Sequence, residues 1–176
     1  MSLETVAVRM GFTPEQALAL EQACFRYGVE DTTERAYFLG QVAHESGTGK
    51  WMEEIWGPTA AQRRYEGRAD LGNTKAGDGF LFRGRGLIQL TGRDNYVRYS
   101  RQTYGDLRAV MFPDMVARLP DAAFAAGWYW RVNSCGMLVG DGIEAVTRCV
   151  NGGTNGLSDR RALTQRALAL FEEIKQ

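Results

Sequence analysis

Residues 41–92 place the strongest constraint on what this chain can fold into. Residues 41–47 have helical apolar spacing and stop at a glycine, which predicts the end of a helix. Residues 82–92 form a short apolar run bounded by glycines, and Leu87–Thr91 predicts a short strand with Gln89 and Thr91 on one face. Acidic residues, aromatic residues and a glycine-rich loop lie between them. The rest of the chain must support this stretch.

Helix-start and helix-stop signals dominate the rest of the sequence. Thr13-Pro14 with Gln16 predicts a capped helix that stops at Gly28. Two further helices are predicted to start at capping boxes, one at Asp31 and Glu34 and one at Asp141 and Glu144. Others are predicted at about 58–65 and 94–104, after Pro120 and after Ser158. Residues 122–130 are apolar nearly all round, which is typical of a central buried helix. The prediction is a mainly α fold with about seven helices and one small β element.

The length and composition are those of one globular domain. With 176 residues, 44% hydrophobic and 24% charged, we expect residues 1–176 to form a single catalytic domain, monomeric by default. No apolar run approaches eighteen residues, so no membrane span is predicted. The first residues lack a basic and then apolar segment, so no secretory signal peptide is expected.

Charge is balanced overall but uneven along the chain. The formal net charge is zero, which argues against nucleic acid as the main partner. Residues 61–108 carry 10 basic and 5 acidic groups, whereas residues 1–60 carry 4 and 9. The middle of the chain is therefore a basic patch. It could attract an anionic polymer such as a bacterial wall, or it could be a set of solvated arginines.

Histidine and cysteine content excludes several kinds of site. His44 is the only histidine, so we expect no catalytic zinc and no cofactor. No Gly-x-Ser-x-Gly motif is present to support a serine nucleophile. Cys24, Cys135 and Cys149 are typical of a reduced chain with small buried hydrophobic side chains, and a bridge between the last two stays open.

Once zinc sites and a serine nucleophile are excluded, acid–base catalysis by carboxyl groups is the chemistry that remains. Glu45 follows Phe38 and Val42 at helical spacing and lies at a helix C-terminus, where partial burial and the helix dipole favour a protonated carboxyl group. A general acid needs such a group, although a surface glutamate at a frayed helix end fits equally well. Trp51 and Trp56 stand among further acids and could stack on sugar rings or cover the core. The other acids of this region are Glu53, Glu54, Glu66, Asp70 and Asp78.

Several longer motifs together resemble glycoside hydrolase family 19, and more closely its short bacteriophage endolysin branch. The matching segments are residues 43–47, 65–68, 77–79, 82–96, 128–130 and 151–153. The Gly-Arg-Gly-x-Ile-Gln-Leu-Thr run is the most specific of them, and the resemblance covers roughly residues 33–170. It implies a mostly helical, lysozyme-like fold with a groove between two lobes, and inversion at the anomeric carbon.

The resemblance also implies roles for the catalytic residues. Glu45 would be the general acid. Glu66 would be the general base because it directly precedes the loop, with Glu54 as the second candidate from the endolysin branch. Thr91 would help to hold the attacking water, and Asn151 would lie near the sugar and the base.

Four further residues are expected to contact or organise the substrate. Gln89 would line the floor of the groove, and Trp51 and Tyr96 would bind the glycan. Arg166 would be the arginine of the acid/base network.

These expectations lead to a peptidoglycan-cleaving endolysin of the muramidase type. It would be made in the host cytoplasm, reach the cell wall after holin release and lyse the cell. A chitinase is the closest rival, but the absence of a visible signal peptide, of expected disulfides and of a separate chitin-binding domain argues against it. A lytic transglycosylase would need only Glu45. A non-enzymatic wall-binding module is the alternative from another class.

Overall fold

The structure, a computed structural model, describes residues 2–173 and is mainly α-helical, as predicted. None of the helices in this range combines the length and apolar character that crossing a bilayer demands. Ten α-helices are present among the described residues: α1 (Leu3–Met10), α2 (Pro14–Tyr27), α3 (Thr32–Ser46), α4 (Ala60–Arg63), α5 (Asp78–Leu81), α6 (Arg93–Tyr104), α7 (Arg108–Met111), α8 (Asp121–Val132), α9 (Ile143–Asn151) and α10 (Leu157–Glu173). Short 3₁₀ helices cover Ala69–Leu71, Pro113–Ala117 and Cys135–Asp141. The prediction of about seven helices missed α1 and two of the one-turn helices.

Local capping explains where the long N-terminal helices begin and end. The Thr13–Gln16 capping box is present at the start of α2. Asp31 caps α3, but the carboxylate of Glu34 accepts a hydrogen bond from Trp130 Nε1 at 2.8 Å, so the predicted second box is incomplete. Gly47 adopts the left-handed conformation and ends α3, which leaves Glu45 in its last turn.

The core packs α10 tightly against α3 and encloses α8. A Cβ on Gly40 of α3 would lie 2.9 Å from the Cα of Thr164 on α10, so only glycine permits this approach. The predicted burial of the 122–130 segment is confirmed. Trp128 and Trp130 of α8 are each only 2% exposed, which makes them core residues and not part of a groove.

The predicted strand at Leu87–Thr91 is wrong. Only isolated bridges form here, joining Arg85 to Glu53 and to Leu90. Gln89 has φ +55°, so the chain turns and brings Leu90 back to exchange two hydrogen bonds with Arg85, at 2.7 and 3.1 Å. The side chains of Gln89 and Thr91 are therefore arranged by a tight loop and not by a strand face.

The predicted third capping box is also wrong. α9 begins at Ile143 after Gly142, and no side chain caps it. Glu144 instead pairs with Arg148 one turn along the helix at 2.9 Å. Glu144 therefore takes part in an i, i+4 ion pair within α9 and not in a helix cap.

Cys135 and Cys149 form a disulfide that ties the 3₁₀ helix Cys135–Asp141 to α9. The expectation of three reduced cysteines is therefore wrong for this pair. Among the described residues, Cys24 alone is free; it is buried, and burial raises the pKa of its thiol. Cys24 therefore has the character of a small core residue.

Reduction of this disulfide is expected to lower the free energy of unfolding by about 2–4 kcal/mol, because the bond closes a loop of sequence separation 14 in the unfolded chain. Thermal unfolding with and without dithiothreitol measures the effect. The Cys135→Ser/Cys149→Ser variant is the control and should unfold at one temperature in both conditions. Equal unfolding temperatures for the wild type would contradict the prediction.

Candidate active site

An open depression lies between the end of α3, residues 51–55 and the loop at residue 89. Its lining residues are Glu45, Trp51, Glu53, Glu54, Ile55 and Gln89. Four of these were predicted as site residues. Trp51 is 55% exposed, so its ring is available to stack on a sugar. The structure thus brings two carboxyl-group candidates, Glu45 and Glu54, to one surface.

Glu45 is held by a buried arginine. Arg160 Nη2 lies 2.5 Å from Glu45 Oε1, and the two side chains are 1% and 17% exposed. Arg160 also donates to Gln41 Oε1 at 2.6 Å and to the carbonyl oxygen of Asn155 at 3.0 Å. Gln41 in turn donates to Thr147 at 3.2 Å. Glu45 is therefore a member of an ordered ion-pair network in which Arg160 supplies the guanidinium group.

Arg166 is not part of this network, so that prediction is wrong. Its guanidinium donates to the carbonyl oxygen of Arg9 at 2.8 Å and is exposed. Both arginines lie on α10, but six positions rotate a helix by more than one and a half turns. Arg160 faces α3, whereas Arg166 faces α1.

Tyr129 is a neighbour of the acid that the sequence did not single out. Its hydroxyl donates to the carbonyl oxygens of Cys149 and Val150 at 3.4 and 3.3 Å. Burial raises the pKa of Tyr129, and the negative charge of Glu45 raises it further. The contact with Val150 fixes the end of α9, where Asn151 is exposed.

Glu54 is positioned by hydrogen bonds to both carboxylate oxygens. Oε1 accepts from Gln62 Nε2 at 3.0 Å, and Oε2 accepts from the backbone N–H of Gly84 at 3.1 Å. The backbone N–H of Glu54 donates to Gly84 O at 2.9 Å. These hydrogen bonds thus hold the Glu54 carboxylate against the segment that contains the Gly-Arg-Gly motif.

Three polar side chains converge above Gly84. A Cβ built on this glycine would lie 2.8 Å from Gln89 Oε1, 3.4 Å from Thr91 Oγ1 and 3.5 Å from Glu54 Oε2. Gln89 Nε2 donates to the carbonyl oxygens of Trp51 and Gly86, at 3.0 and 3.1 Å, which leaves its Oε1 as an acceptor at this point. A non-glycine residue at positive φ, as Gln89 is, is uncommon and often marks a functional site.

Gly84→Ala is expected to lower glycan cleavage by roughly tenfold to a hundredfold, because the new methyl group would displace the Gln89 side chain, whose Oε1 would lie only 2.8 Å away. The fold should survive, since Gly84 does not have positive φ. Release of reducing ends gives the rate, and circular dichroism checks the fold. Gly140→Ala is the matched control because nothing lies within 4 Å of its added Cβ. Equal rates for the two variants would contradict the prediction.

Glu66 has a different environment. Its Oε1 accepts from Gly77 N–H at 2.6 Å and its Oε2 from Gly79 N–H at 2.9 Å. It does not line the depression that contains Glu45 and Glu54. Glu66 therefore holds the glycine-rich loop in shape.

Tyr96 does not reach the surface, so its predicted contact with substrate is wrong. Its side chain is completely buried. Its hydroxyl donates to the carbonyl oxygen of Arg83 at 3.0 Å and accepts from Arg85 at 3.2 Å. Tyr96 therefore holds Arg83 and Arg85 of the motif from within the core.

Residues 2–173 contain no cluster of three histidine, cysteine or acidic side chains that could hold a metal ion. His44 pairs instead with Asp159 on α10, with 2.6 Å between Nδ1 and Oδ2. The adjacent pairs His44–Asp159 and Glu45–Arg160 join the last turn of α3 to α10.

Known proteins similar to this chain agree on one family. No protein-family model matches this chain, so the family assignment rests on individual relatives. A Haemophilus influenzae protein described as "glycosyl hydrolase family 19 domain-containing protein" is 40% identical over 172 residues, covering 82% of this chain and 83% of that protein. Endochitinase At2g43610 of Arabidopsis thaliana is 36% identical over 146 residues, or 81% of this chain and 48% of the plant protein.

Solved structures show the same fold. Chitinase C from Streptomyces griseus superposes with a TM-score of 0.70 at 21% identity, covering 96% of this chain and 92% of that one. A class IV family 19 chitinase from Zea mays gives a TM-score of 0.68 at 22% identity, with 94% and 88% covered.

Proposed function

This chain belongs to glycoside hydrolase family 19 and is a glycoside hydrolase, and from that premise we propose that it hydrolyses the β-1,4 glycan strands of bacterial peptidoglycan by inversion. The observation that carries the mechanism is the shared depression of Glu45 and Glu54. A pair of carboxyl groups across a groove is the basic requirement for glycoside cleavage. In an inverting enzyme they stand about 6.5–9.5 Å apart, which leaves room for a water molecule.

Glu45 is proposed as the general acid. Its Oε1 is occupied by Arg160, so Oε2 is the oxygen that can deliver a proton to the glycosidic oxygen. The bond to the anomeric carbon then breaks as the leaving sugar takes that proton. Arg160 and Gln41 keep the carboxyl group in one orientation throughout.

Glu54 is proposed as the general base in place of Glu66. It removes a proton from a water molecule that attacks the anomeric carbon on the face opposite the leaving group. Gln89 Oε1 and Thr91 Oγ1 converge with its Oε2 on the space above Gly84. The Thr91 hydroxyl donates to the Gln89 carbonyl oxygen at 2.9 Å, so each of these two oxygens is placed to accept the second proton of that water. The new hydroxyl group therefore has inverted configuration.

Peptidoglycan is proposed as the substrate because of charge. The region from residue 61 to 108, which includes the glycine-rich loop and the motif, carries 10 basic and 5 acidic groups. Five of these basic groups are exposed and make no ion pair within residues 2–173: Arg63, Arg64, Lys75, Arg98 and Arg101. A wall that bears acidic peptides attracts such positive charge, whereas chitin is neutral. Chitin is the second candidate, favoured by the 36% identity to an Arabidopsis endochitinase.

The proposal extends to the biological setting, through the resemblance of residues 33–170 to phage endolysins. The enzyme would be made in the host cytoplasm, act as a monomer on the wall after holin release and cause lysis. A purely wall-binding role does not suit a member of a hydrolase family with two carboxyl groups in one depression.

Mass spectrometry of digested peptidoglycan, with and without borohydride reduction, tests the proposal. Reducible ends at N-acetylmuramic acid are the expected result. Reducible ends at N-acetylglucosamine would make the enzyme a glucosaminidase, and anhydro ends would make it a lytic transglycosylase. Turnover of chitin oligomers without any peptidoglycan product would replace the proposal with a chitinase.

Glu54→Gln is expected to lower turnover by roughly 10²–10⁴-fold, the usual contribution of a general base. Glu66→Gln is the matched comparison and should retain most turnover, because glutamine can still accept one of the two loop hydrogen bonds. Initial rates of reducing-end release measure both. The reverse order would restore Glu66 as the base, and two active variants would favour a transglycosylase.

A further inference from the structure

A second cavity of about 540 Å³ lies next to the catalytic depression. Its volume falls within the usual range for ligand sites, about 300–1,000 Å³. Its lining includes Phe80, Arg83, Arg85, Met111, Phe112 and Arg118. We propose that this cavity binds the acidic peptide stem that branches from the glycan strand; the inference rests on the proposed function.

One carboxylate connects the two sites. Glu53 lines the catalytic depression, and its Oε1 accepts hydrogen bonds from Arg83 Nη2 at 2.5 Å and from Arg85 Nε at 2.8 Å. Both arginines line the second cavity. The two sites therefore meet at a wall that Glu53, Arg83 and Arg85 share.

The cavity has an apolar side that folding does not bury. Phe112, Met111 and Phe80 are 66%, 63% and 49% exposed. Phe80 is held in place by the ring of Trp56, 5.5 Å away, and by the guanidinium of Arg83, 4.3 Å from its ring centre. Isolated exposed hydrophobic residues are ordinary, but several around one cavity mark a binding surface. The methyl groups of alanine in a peptide stem fit such a side.

The cavity also has a free positive charge. Arg83 and Arg85 are engaged by Glu53, and Arg85 also pairs with Asp114 at 2.7 Å. Arg118 makes no ion pair or side-chain hydrogen bond within residues 2–173, and it is exposed. A guanidinium group suits a carboxylate because it can donate two parallel hydrogen bonds. A peptide that carries both carboxylates and methyl groups matches both sides of the cavity, whereas a bare neutral glycan has no carboxylate to pair with Arg118.

Two forms of one substrate test this inference. Glycan strands are prepared from peptidoglycan with their peptide stems, and half of the sample is stripped of stems with an amidase. The Arg118→Gln/Phe112→Ser variant should lose about tenfold in kcat/KM on stem-bearing strands and keep its rate on stripped strands. Both residues are exposed, so the fold should tolerate the changes.

The control variant is Arg101→Gln/Phe25→Ser, which removes the same charge and an even more exposed ring, 84% against 66%, outside the cavity. It should behave as the wild type on both substrates. Equal loss on both substrates, or no loss on either, would overturn the inference. Failure of the wild type to cleave either substrate would instead refute the proposed function.

Discussion

Replacing Glu45 with glutamine is expected to lower glycan cleavage by roughly 10²–10⁴-fold, the range that a general acid contributes. Glutamine keeps the shape of the side chain and still accepts the hydrogen bond from Arg160, but it has no proton to give to the glycosidic oxygen. The rate is measured by release of reducing ends from purified peptidoglycan. Circular dichroism should match the wild type, whereas thermal unfolding should shift to a lower temperature because the buried guanidinium of Arg160 loses its charged partner.

Glu144→Gln is the matched control for this experiment. Glu144 is also a helical glutamate paired with an arginine, but it is 53% exposed and lies outside the depression. It should cleave at the wild-type rate. If Glu45→Gln retained a substantial share of the wild-type rate, Glu45 would not be the acid.

Replacing Arg160 with leucine is expected to lower the free energy of unfolding by about 2–4 kcal/mol, since buried partners would lose their hydrogen bonds. Gln41 is completely buried, and Asn155 would lose its donor. Activity should fall as well, because Glu45 would no longer be held in one orientation. Urea unfolding monitored by fluorescence gives the stability, and initial rates give the activity.

Arg166→Leu provides the comparison on the same helix. Arg166 is exposed and makes one hydrogen bond, to the carbonyl oxygen of Arg9. It should change stability and activity little. If it reduced activity as much as Arg160→Leu, the network around Glu45 would have been assigned to the wrong arginine.

Features that depend on neighbours in the chain could be predicted from the sequence. The capping box of Thr13 and Gln16, the glycine that ends α3 and the buried α8 depend on spacing within one helix. The placement of Glu45 at the end of α3 follows from the same local pattern. The family motif adds Gln89, the position of an aromatic residue among acids adds Trp51, and the structure places both in the depression.

Features that depend on distant partners could not be predicted in this way. Arg160 and Glu45 are 115 positions apart, and helical spacing does not reveal which arginine of α10 faces α3. The choice between Glu54 and Glu66 depends on loop hydrogen bonds to Gly84, Gly77 and Gly79. Those bonds follow from the path of an irregular loop, which has no periodicity to read.

The prediction of a strand at residues 87–91 was wrong for a related reason. Residues 87–91 have the composition of a strand, yet Gly86 and Gln89 both adopt positive φ and close a tight loop on Arg85. Arg85 is completely buried and is bound by four different groups, so tertiary contacts outweigh local preference there.

The pairing of Glu45 with Arg160 has a consequence for synthesis. A ribosome makes the chain from its N-terminus, so α3 and the glycine-rich loop emerge early, whereas α10 is the last of the described helices to appear. Until α10 packs against α3, no arginine fixes the acid in place. A growing chain therefore carries Glu45 long before its partner is made, and the ion pair forms only when most of the described residues have been translated.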